Sequence, residues 1–351
     1  MSTQHHAKPA PVGGPLLNAV TLTAGILIAI MAAILVVRLF YGLGSVTNLN
    51  DGYPWGIGIV VDVMSGSAFA CGGFSVAMLV YIFNKGEYHP LVRPALLASL
   101  FGYTLAGVAV IVDLGRWWHV WNMSWPWSAN PNSVMFEVAI CITLYIIVMW
   151  IEFAPTFFEK FGMDAAKRKL SKIMFIIIAL GTLLPMMHQS SLGTLWVVLG
   201  SQVHPLWQTP VVPLLFLLTA IIMGYAVVLF ESCVASSAYR RSIEMSLLTP
   251  MAKVMLGLNA VYIVVRFADL VWRGALGLAF GLSLESLMFW LEMACFFAVF
   301  IAIGSEVQRR NPARLFIAGI LLMLGGSLLR LNGFLIGYNT GGAYQYFPSL
   351  T

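Results

Sequence analysis

Long apolar stretches are the feature of this sequence that most restricts its fold. Nine of them are long enough to cross about 30 Å of hydrocarbon as α-helices. A composition of 60% hydrophobic and 9% charged residues agrees, because a soluble protein of this length needs a more polar surface. We therefore predict an all-α polytopic membrane protein, a helical bundle with about nine transmembrane helices. The predicted spans are residues 16–41, 55–84, 94–114, 132–158, 172–200, 210–235, 250–273, 284–305 and 313–336.

The spans divide the chain into three predicted parts. Residues 1–15, which are rich in Pro and Gly, form an N-terminal arm, residues 16–336 form the bundle, and residues 337–351 follow the last span. The first apolar run is longer than the core of a cleavable signal peptide and has no A-x-A pattern, so we expect a membrane span there. The four Cys residues stand singly in apolar stretches, which indicates small buried side chains rather than metal ligands.

The basic residues are distributed unevenly between the loops. Fourteen of the 19 Lys and Arg residues lie in the N-terminal arm or at the even-numbered loops, whereas four flank the odd-numbered loops. Loops that carry an excess of positive charge tend to stay in the cytoplasm. We therefore predict a cytoplasmic N-terminus and odd-numbered loops on the outer side.

Trp residues follow the opposite distribution. Ten of the 11 lie toward the predicted outer side, and five fall in the run DLGRWWHVWNMSWPW at 113–127. Aromatic residues at the headgroup level of a membrane explain a few of them. A one-sided excess also suits a protein-binding surface, because Trp anchors interfaces well. The sequence leaves both interpretations open.

Ionisable residues inside or at the ends of the predicted spans gather toward the same outer side. They are Asp62, Asp113, Arg116, Glu137, His188, Arg266, Asp269, Glu285, Glu292 and Arg330. Charges at bilayer depth are costly, so they usually face a cavity or one another. A structural interpretation pairs Asp113 with Arg116 and Arg266 with Asp269. A functional interpretation is a proton-handling site, because a group of acids with one His is typical of proton transfer.

Three further features bear on such a site. Glu152 and Glu231 lie near the inner ends of their spans and are either interfacial residues or the inner mouth of a proton path. Pro185 interrupts the fifth span just before His188, which frees backbone carbonyls at mid-membrane. The small-residue run at 65–73 suits tight helix packing or a slot for an isoprenoid tail.

The histidines argue against a haem. A membrane b-type haem typically needs two axial His ligands on facing helices. Of the six His residues, only His188 lies within a predicted span. We therefore expect neither a haem nor a metal site in this chain.

Five segments resemble one family of membrane proteins. They are GLGSVTNLNDGYPWGIGI (42–59), FNKGEYHPLVRPALLASLFGYTLAG (83–107), LLPMMHQSSLGTLW (183–196), SQVHPLWQ (201–208) and GGAYQYFP (341–348). Over nearly the whole chain, the sequence is similar to HybB-like members of the NrfD/polysulfide-reductase membrane-subunit family. Members of this kind have ten helices, so the resemblance implies a tenth span after Thr351.

The resemblance also implies a function. It implies a haem-free, quinone-reactive subunit of a respiratory, periplasm-facing [NiFe] hydrogenase in the bacterial inner membrane. The implied partners are the large and small hydrogenase subunits and a periplasmic four-cluster iron–sulfur protein, with no nucleic acid. The implied cofactor is a quinone, menaquinone or ubiquinone, and no iron–sulfur cluster is expected in this chain.

Together, the buried residues and the resemblance lead to specific expectations. Asp62 and His188 are expected to contact the quinone head, with Trp55 and Arg116 shaping its surroundings. Glu137, Tyr103 and, more weakly, Glu231 are the expected proton-transfer residues. The remaining ionisable residues form an expected buried charge network: Asp113, Arg266, Asp269, Glu285, Glu292 and Arg330. Two other functions stay open, a proton- or ion-translocating subunit and a purely structural membrane anchor.

Overall fold

The computed structural model describes residues 17–50, 52–53, 55–125, 127–240, 242–342 and 346–348. Within these residues, nine helices are long and apolar enough to cross a membrane, which confirms the predicted all-α polytopic fold. They are α1 (Ala19–Tyr41), α2 (Ile57–Ile82), α3 (Gly86–Asp113), α4 (Val134–Lys160), α5 (Met174–Gln202), α6 (Val212–Tyr239), α7 (Met245–Trp272), α8 (Leu284–Ile303) and α9 (Pro312–Ile336). The predicted arm at 1–15 and parts of the 337–351 segment lie outside the described residues.

Two helices begin earlier than their sequence indicates. The third helix begins at Gly86 rather than at 94, and the seventh begins at Met245 rather than at 250. The two predicted spans start at Pro94 and Pro250, but both prolines lie inside a helix. A proline this close to the N-terminal end of a helix removes a single backbone hydrogen bond, which neighbouring groups can satisfy.

Eight of the nine described helices form two halves of four, and α1 lies outside them. In each half, helices that follow one another in the chain pack together: α2 to α5 in the first half and α6 to α9 in the second, where α9 also packs on α6. The halves meet where α6 and α9 contact α2 and α5. As a result, α2 and α6 are the most buried spans, whereas the apolar part of α1 has no buried residue.

Close helix contact explains part of the small-residue run in α2. A Cβ added to Gly224 of α6 would lie 2.7 Å from the carbonyl oxygen of Cys71. One added to Gly73 would lie 3.2 Å from the carbonyl oxygen of Ala95 in α3. Glycine at these positions therefore lets α2 approach both of its neighbours closely.

Helix α2 is not a regular α-helix. It contains π-helical turns at Val60–Gly66 and Met78–Ile82, and α9 ends in a third at Asn332–Ile336. Such turns widen a helix and are frequent at functional sites. Asp62 lies in the first of them.

The two ends of the bundle differ in their loops. We call the end that carries Trp117, Trp121 and Trp127 the tryptophan end. The opposite end, which carries Lys85, Lys160 and Arg309, is the basic end. In the loop between α3 and α4, Trp117–Ser124 forms a short 3₁₀-helix with exposed Trp side chains.

Candidate functional site

A mostly apolar groove lies in the first half of the molecule, between α1, α2 and α3. Its volume is about 670 Å³. Apolar side chains form most of its walls: Met31, Ile34, Leu35, Phe69, Leu105 and Val112. Gly66 and Ala70 of the small-residue run also line it. The small-residue run therefore has two roles: part of it lines the groove, and part of it makes the close helix contacts.

Polar groups gather where the groove reaches the tryptophan end. Asp62 of α2, Asp113 at the end of α3 and Arg38 of α1 all line this part. The Oδ2 atom of Asp113 is buried and has no hydrogen-bond partner among the described residues. A Cβ added to Gly58 would lie 3.1 Å from that oxygen. An apolar groove that ends in two carboxyl groups suits a ligand with a long apolar tail and a hydrogen-bonding head.

Arg38 was not among the site residues predicted from the sequence. Its Nε donates to the carbonyl oxygen of Val112 (2.7 Å), and its Nη2 donates to that of Leu114. Carbonyls at the end of a helix lack partners within the helix, so Arg38 both satisfies the end of α3 and attaches α1 to it. The available signal was a single Arg in the last turn of an otherwise uncharged helix.

His188 lies in a closed hydrogen-bonded cluster beside α2. Its Nδ1 is 3.0 Å from the carbonyl oxygen of Leu184, which can only accept, so Nδ1 carries the proton. In a neutral imidazole, Nε2 then accepts from the Tyr103 hydroxyl (2.9 Å) and from Nε2 of Gln189 (3.1 Å). Cys71 lies 3.3 Å from the same hydroxyl. The structure brings together the predicted residues His188 and Tyr103, but His188 is fully buried and does not line the groove.

Gln189 connects this cluster to a buried cation. Its side-chain oxygen accepts from Nη2 of Arg330 (3.3 Å), and its Nε2 also donates to Ser67 (2.8 Å). Arg330 donates as well to Thr219 (3.1 Å) and to the carbonyl oxygen of Gly326 (2.9 Å). Arg330 is fully buried and forms no ion pair with a described carboxylate. Gln189 was not among the predicted site residues, because the only signal for it in the sequence is its position next to His188.

Polar side chains also follow the contact between α4 and α5. Near the tryptophan end, Ser191 of α5 donates to Glu137 of α4 (2.7 Å). Deeper in the membrane, the buried ring of Tyr145 lies 4.6 Å from that of Tyr103 and 6.5 Å from that of His188. Toward the basic end, a Cβ at Gly181 would lie 3.0 Å from a carboxylate oxygen of Glu152. On one α-helix, Glu137 and Glu152 are about 22 Å apart.

The second half contains a fully enclosed carboxylate. Glu292 is fully buried and accepts from Trp207 (2.9 Å), Asn332 (3.1 Å) and Tyr262 (3.3 Å). Arg266 lies 3.8 Å from Glu292 and over the ring of Phe289, and its nitrogen atoms have no hydrogen-bond partner among the described residues. This cluster is a buried ion pair in which only Glu292 is hydrogen-bonded, and it has no access from the surface.

Both ion pairs proposed from sequence spacing are wrong. Arg116 is exposed, and Asp113 lies instead at the groove with an unpartnered oxygen. Arg266 pairs with Glu292, whereas Asp269 binds Arg273 with three hydrogen bonds of 2.7 to 3.1 Å. Spacing along one helix placed these groups near each other but did not determine which neighbouring helix each one faces.

The remaining predicted residues lie apart from the groove. Trp55 stacks on Phe334 with ring centroids 5.0 Å apart, and Arg116 is exposed in the loop after α3. Glu231 is half-buried toward the basic end of α6, and Glu285 is half-buried in the first turn of α8. Neither of these two acids lines the groove.

His204 lies in the loop between α5 and α6. Its ring is 5.9 Å from that of Trp207. Burial lowers the pKa of this imidazole below its usual value, and the nearby Glu285 opposes that effect. A neutral His204 beside Trp207 therefore belongs to the packing of the tryptophan end.

The fold and the site together define a class: a multi-pass helical membrane protein with a mostly apolar groove and buried polar clusters. The chain belongs to the family described as polysulphide reductase, NrfD, whose model matches residues 45–340. This confirms the family indicated by the sequence resemblance.

Several relatives show the range of this family. The chain is 44% identical to the probable Ni/Fe-hydrogenase 2 b-type cytochrome subunit of Escherichia coli K12, over 97% of this chain and 88% of the relative. It is 26% identical to the integral membrane subunit of menaquinone reductase from Nitratidesulfovibrio vulgaris, over 82% of this chain and 74% of that protein. It is also 26% identical to a selenate reductase subunit of Mesobacillus selenatarsenatis, over 58% of this chain and 53% of that protein.

A b-type haem does not fit the described histidines. Both ring nitrogens of His188 are occupied by protein atoms. His119 and His204 lie in loops at the tryptophan end, and His89 is exposed in the first turns of α3 at the basic end. No facing pair of histidines therefore lies inside the described bundle, whereas a haem of this type needs two axial ligands. The absence of a haem stays a prediction.

Proposed function

We propose that the chain is the quinone-reactive membrane subunit of a respiratory oxidoreductase. The observation that carries the proposal is the groove, which joins an apolar passage between α1, α2 and α3 to Asp62 and an unsatisfied oxygen of Asp113. An isoprenoid tail fits the apolar part, and a quinone head has two oxygens that form hydrogen bonds. The menaquinone reductase subunit among the relatives supports this assignment.

We assign the contacts at the quinone head to the groove. A protonated Asp62 or Asp113 donates to a quinone carbonyl, and the ionised form accepts from a quinol hydroxyl. Arg38 keeps α1 and α3 together around this end. Asp62 keeps the role expected from the sequence. Asp113 is added to it as a second contact with the quinone head, and Arg38 is added as the residue that holds α1 against α3. Trp55 and Arg116 lie outside the groove, so we assign them no contact with the head.

Reduction of a quinone takes up two electrons and two protons, and the protein has to deliver the protons. The cluster of His188, Tyr103 and Gln189 lies directly behind the helix that carries Asp62, because Gln189 and Tyr103 contact Ser67 and Cys71 of α2. We assign proton transfer to this cluster. Glu137 serves as its connection at the tryptophan end.

We also propose that protons reach this cluster from the basic end of the bundle. Glu152 lies beside Gly181 on the contact between α4 and α5, and Tyr145 lies between it and Tyr103. Glu231 is on α6, outside that contact, so Glu152 is the better inner candidate. Protons taken from this side would cross part of the membrane potential, at about 2.3 kcal/mol per charge for every 100 mV.

The proposed complex follows the relative from Escherichia coli, which is named as a hydrogenase subunit. We propose [NiFe] hydrogenase subunits and a periplasmic iron–sulfur protein as the partners. The exposed Trp side chains of Trp117–Ser124 offer a docking surface close to the groove, because this helix follows Asp113 after a short turn. The proposed location is the bacterial inner membrane, with the basic end in the cytoplasm.

The test uses the assembled complex and measures hydrogen-dependent reduction of a menaquinone analogue. Asp62→Asn is expected to lower this rate about 100-fold or more, the usual contribution of a positioned acid or base. Hydrogen oxidation with a soluble dye is expected to stay unchanged, because that reaction bypasses the membrane subunit. Glu87→Gln, which changes an exposed carboxylate at the basic end, is the matched control. Wild-type quinone reduction by Asp62→Asn would contradict the proposal and favour a structural anchor.

A further inference from the structure

A second cleft lies at the basic end, in the other half of the molecule. It has a volume of about 480 Å³ and lies between the start of α7 and the short helix Glu306–Arg309 that precedes α9. The polar residues that line it are Ser246, Thr249, Lys253, Glu306, Arg309 and Arg310. We call it the basic cleft.

The basic cleft has an excess of positive charge. Three cations, Lys253, Arg309 and Arg310, line it together with one carboxylate, that of Glu306. Arg310 binds Glu306 with a nitrogen–oxygen distance of 2.6 Å, and both side chains are exposed. The hydrogen bond and charge of Arg310 hold the pKa of Glu306 below its usual value, so this carboxylate is ionised. Lys253 is exposed and leaves an ammonium group available to an anion.

Arg309 is held in place by the backbone. Its Nη1 donates to the carbonyl oxygens of Ile303 (2.9 Å) and Gly304 (2.8 Å) at the end of α8. The hydroxyl of Thr249 donates to the carbonyl oxygen of Arg309 (3.3 Å), which ties this residue to α7. A cation that is fixed before binding loses less conformational entropy when it binds an anion.

Two exposed apolar side chains lie near the basic cleft. Val307, on the short helix itself, is 82% exposed, and Ile301 in the last turn of α8 is 76% exposed. Both lie at the basic end of the bundle, where α8 ends and α9 begins, which is the place that headgroups occupy around a spanning helix. An anion that binds here with its apolar part against these side chains is an amphiphile rather than a free ion.

We propose that the basic cleft binds the phosphodiester headgroup of an anionic phospholipid, with the acyl chains along α7 and α8. Basic pockets between helices at the cytoplasmic side are a recurring way of holding such lipids. Lys253 and Arg310 contact the phosphate, Arg309 supplies a fixed charge behind them, and the hydroxyl groups of Ser246 and Thr249 lie beside it. The site is independent of the groove in the first half and of the quinone assignment.

The test compares lipid binding by the intact complex after delipidation, measured by native mass spectrometry. The probes are phosphatidylglycerol, phosphatidylcholine and inorganic phosphate. The wild-type complex is expected to retain phosphatidylglycerol in preference to phosphatidylcholine. The double change Lys253→Gln and Arg310→Gln is expected to weaken phosphatidylglycerol binding about tenfold or more, because each basic residue near an anionic headgroup adds to the attraction.

The matched control is Lys160→Gln with Arg168→Gln, which removes two charges at the same end, one from the last residue of α4 and one from the segment between α4 and α5. This control is expected to bind phosphatidylglycerol like the wild type. An equal loss in both double variants would overturn the proposal, because it would show attraction by overall charge alone. Displacement of the lipid by inorganic phosphate would overturn the lipid assignment in favour of a free anion. Equal retention of both phospholipids would overturn it as well.

The single change Lys253→Gln, at an exposed position, repeats the test if the double variant assembles poorly. Unchanged phosphatidylglycerol binding by this variant would then overturn the proposal.

Discussion

The two halves of the molecule use carboxylates at the tryptophan end in opposite ways. In the first half, Asp62 and Asp113 border an open groove, and one oxygen of Asp113 has no partner among the described residues. In the second half, Glu292 is closed off from the surface and accepts three hydrogen bonds beside Arg266. A charge at bilayer depth therefore does not by itself indicate a functional site. Whether such a charge forms a functional site depends on the open space beside it and on the number of its hydrogen-bond partners.

The largest expected effect is a loss of stability when the buried carboxylate of the second half is removed. Glu292→Ala leaves Arg266 buried without a counter-charge, leaves Trp207 without its acceptor and removes one of the two acceptors of Asn332. Removing one partner of a buried ion pair typically costs about 3–5 kcal/mol. We expect a much lower thermal unfolding temperature in detergent, together with poor accumulation in membranes. Asp62→Ala is the matched change in the open half and should unfold near the wild-type temperature. A stable Glu292→Ala variant that has lost only quinone reduction would move the site to the second half.

A smaller effect separates the buried tyrosines of the two halves. Both Tyr103 and Tyr262 are fully buried, and each hydroxyl contacts a titratable group, His188 or Glu292. Tyr103→Phe is expected to slow quinone reduction about 100-fold, because it removes a proton-transfer group. Tyr262→Phe is expected to keep the rate and lose about 1 kcal/mol of stability, the net contribution of one hydrogen bond. Steady-state rates and thermal unfolding of both variants check this. Equal rates in the two would refute a proton role for the His188 cluster.

The smallest expected effect concerns the groove itself. Ala109 of α3 lines it, and Ala109→Phe fills part of its volume. We expect KM for the menaquinone analogue to rise about tenfold, equivalent to about 1.4 kcal/mol of binding free energy, with little change in unfolding temperature. Ala294→Phe, at an exposed position on α8, makes the same change in the other half and should leave KM unaltered. A rise in KM in both variants would point to membrane perturbation instead of the groove.

Much of the fold could be predicted because its signals are local. A run of about 20 consecutive apolar residues indicates a membrane span. All nine predicted spans correspond to a described helix. The early starts of α3 and α7 were missed because a proline near the beginning of a helix looks like a boundary in the sequence and is tolerated in the structure.

The candidate site was predictable in composition but not in arrangement. Asp62 and the pair His188 and Tyr103 could be named because ionisable or hydrogen-bonding side chains are conspicuous among apolar ones. Arg38 and Gln189 were missed because their roles depend on the helix that each one faces. The assignment of Arg266 to Asp269 failed for the same reason, since its carboxylate partner comes from α8.

By itself, the sequence determined that this chain crosses the membrane many times, that its two ends differ in charge and aromatic content, and that its polar residues lie mostly toward one end. Only the tertiary structure decided which acids are closed off and which border a groove. The physical reason is that hydrophobicity along one helix sets its length and position, whereas its rotation is set by packing against other helices. In helices surrounded by apolar neighbours on every side, that rotation leaves little trace in the sequence.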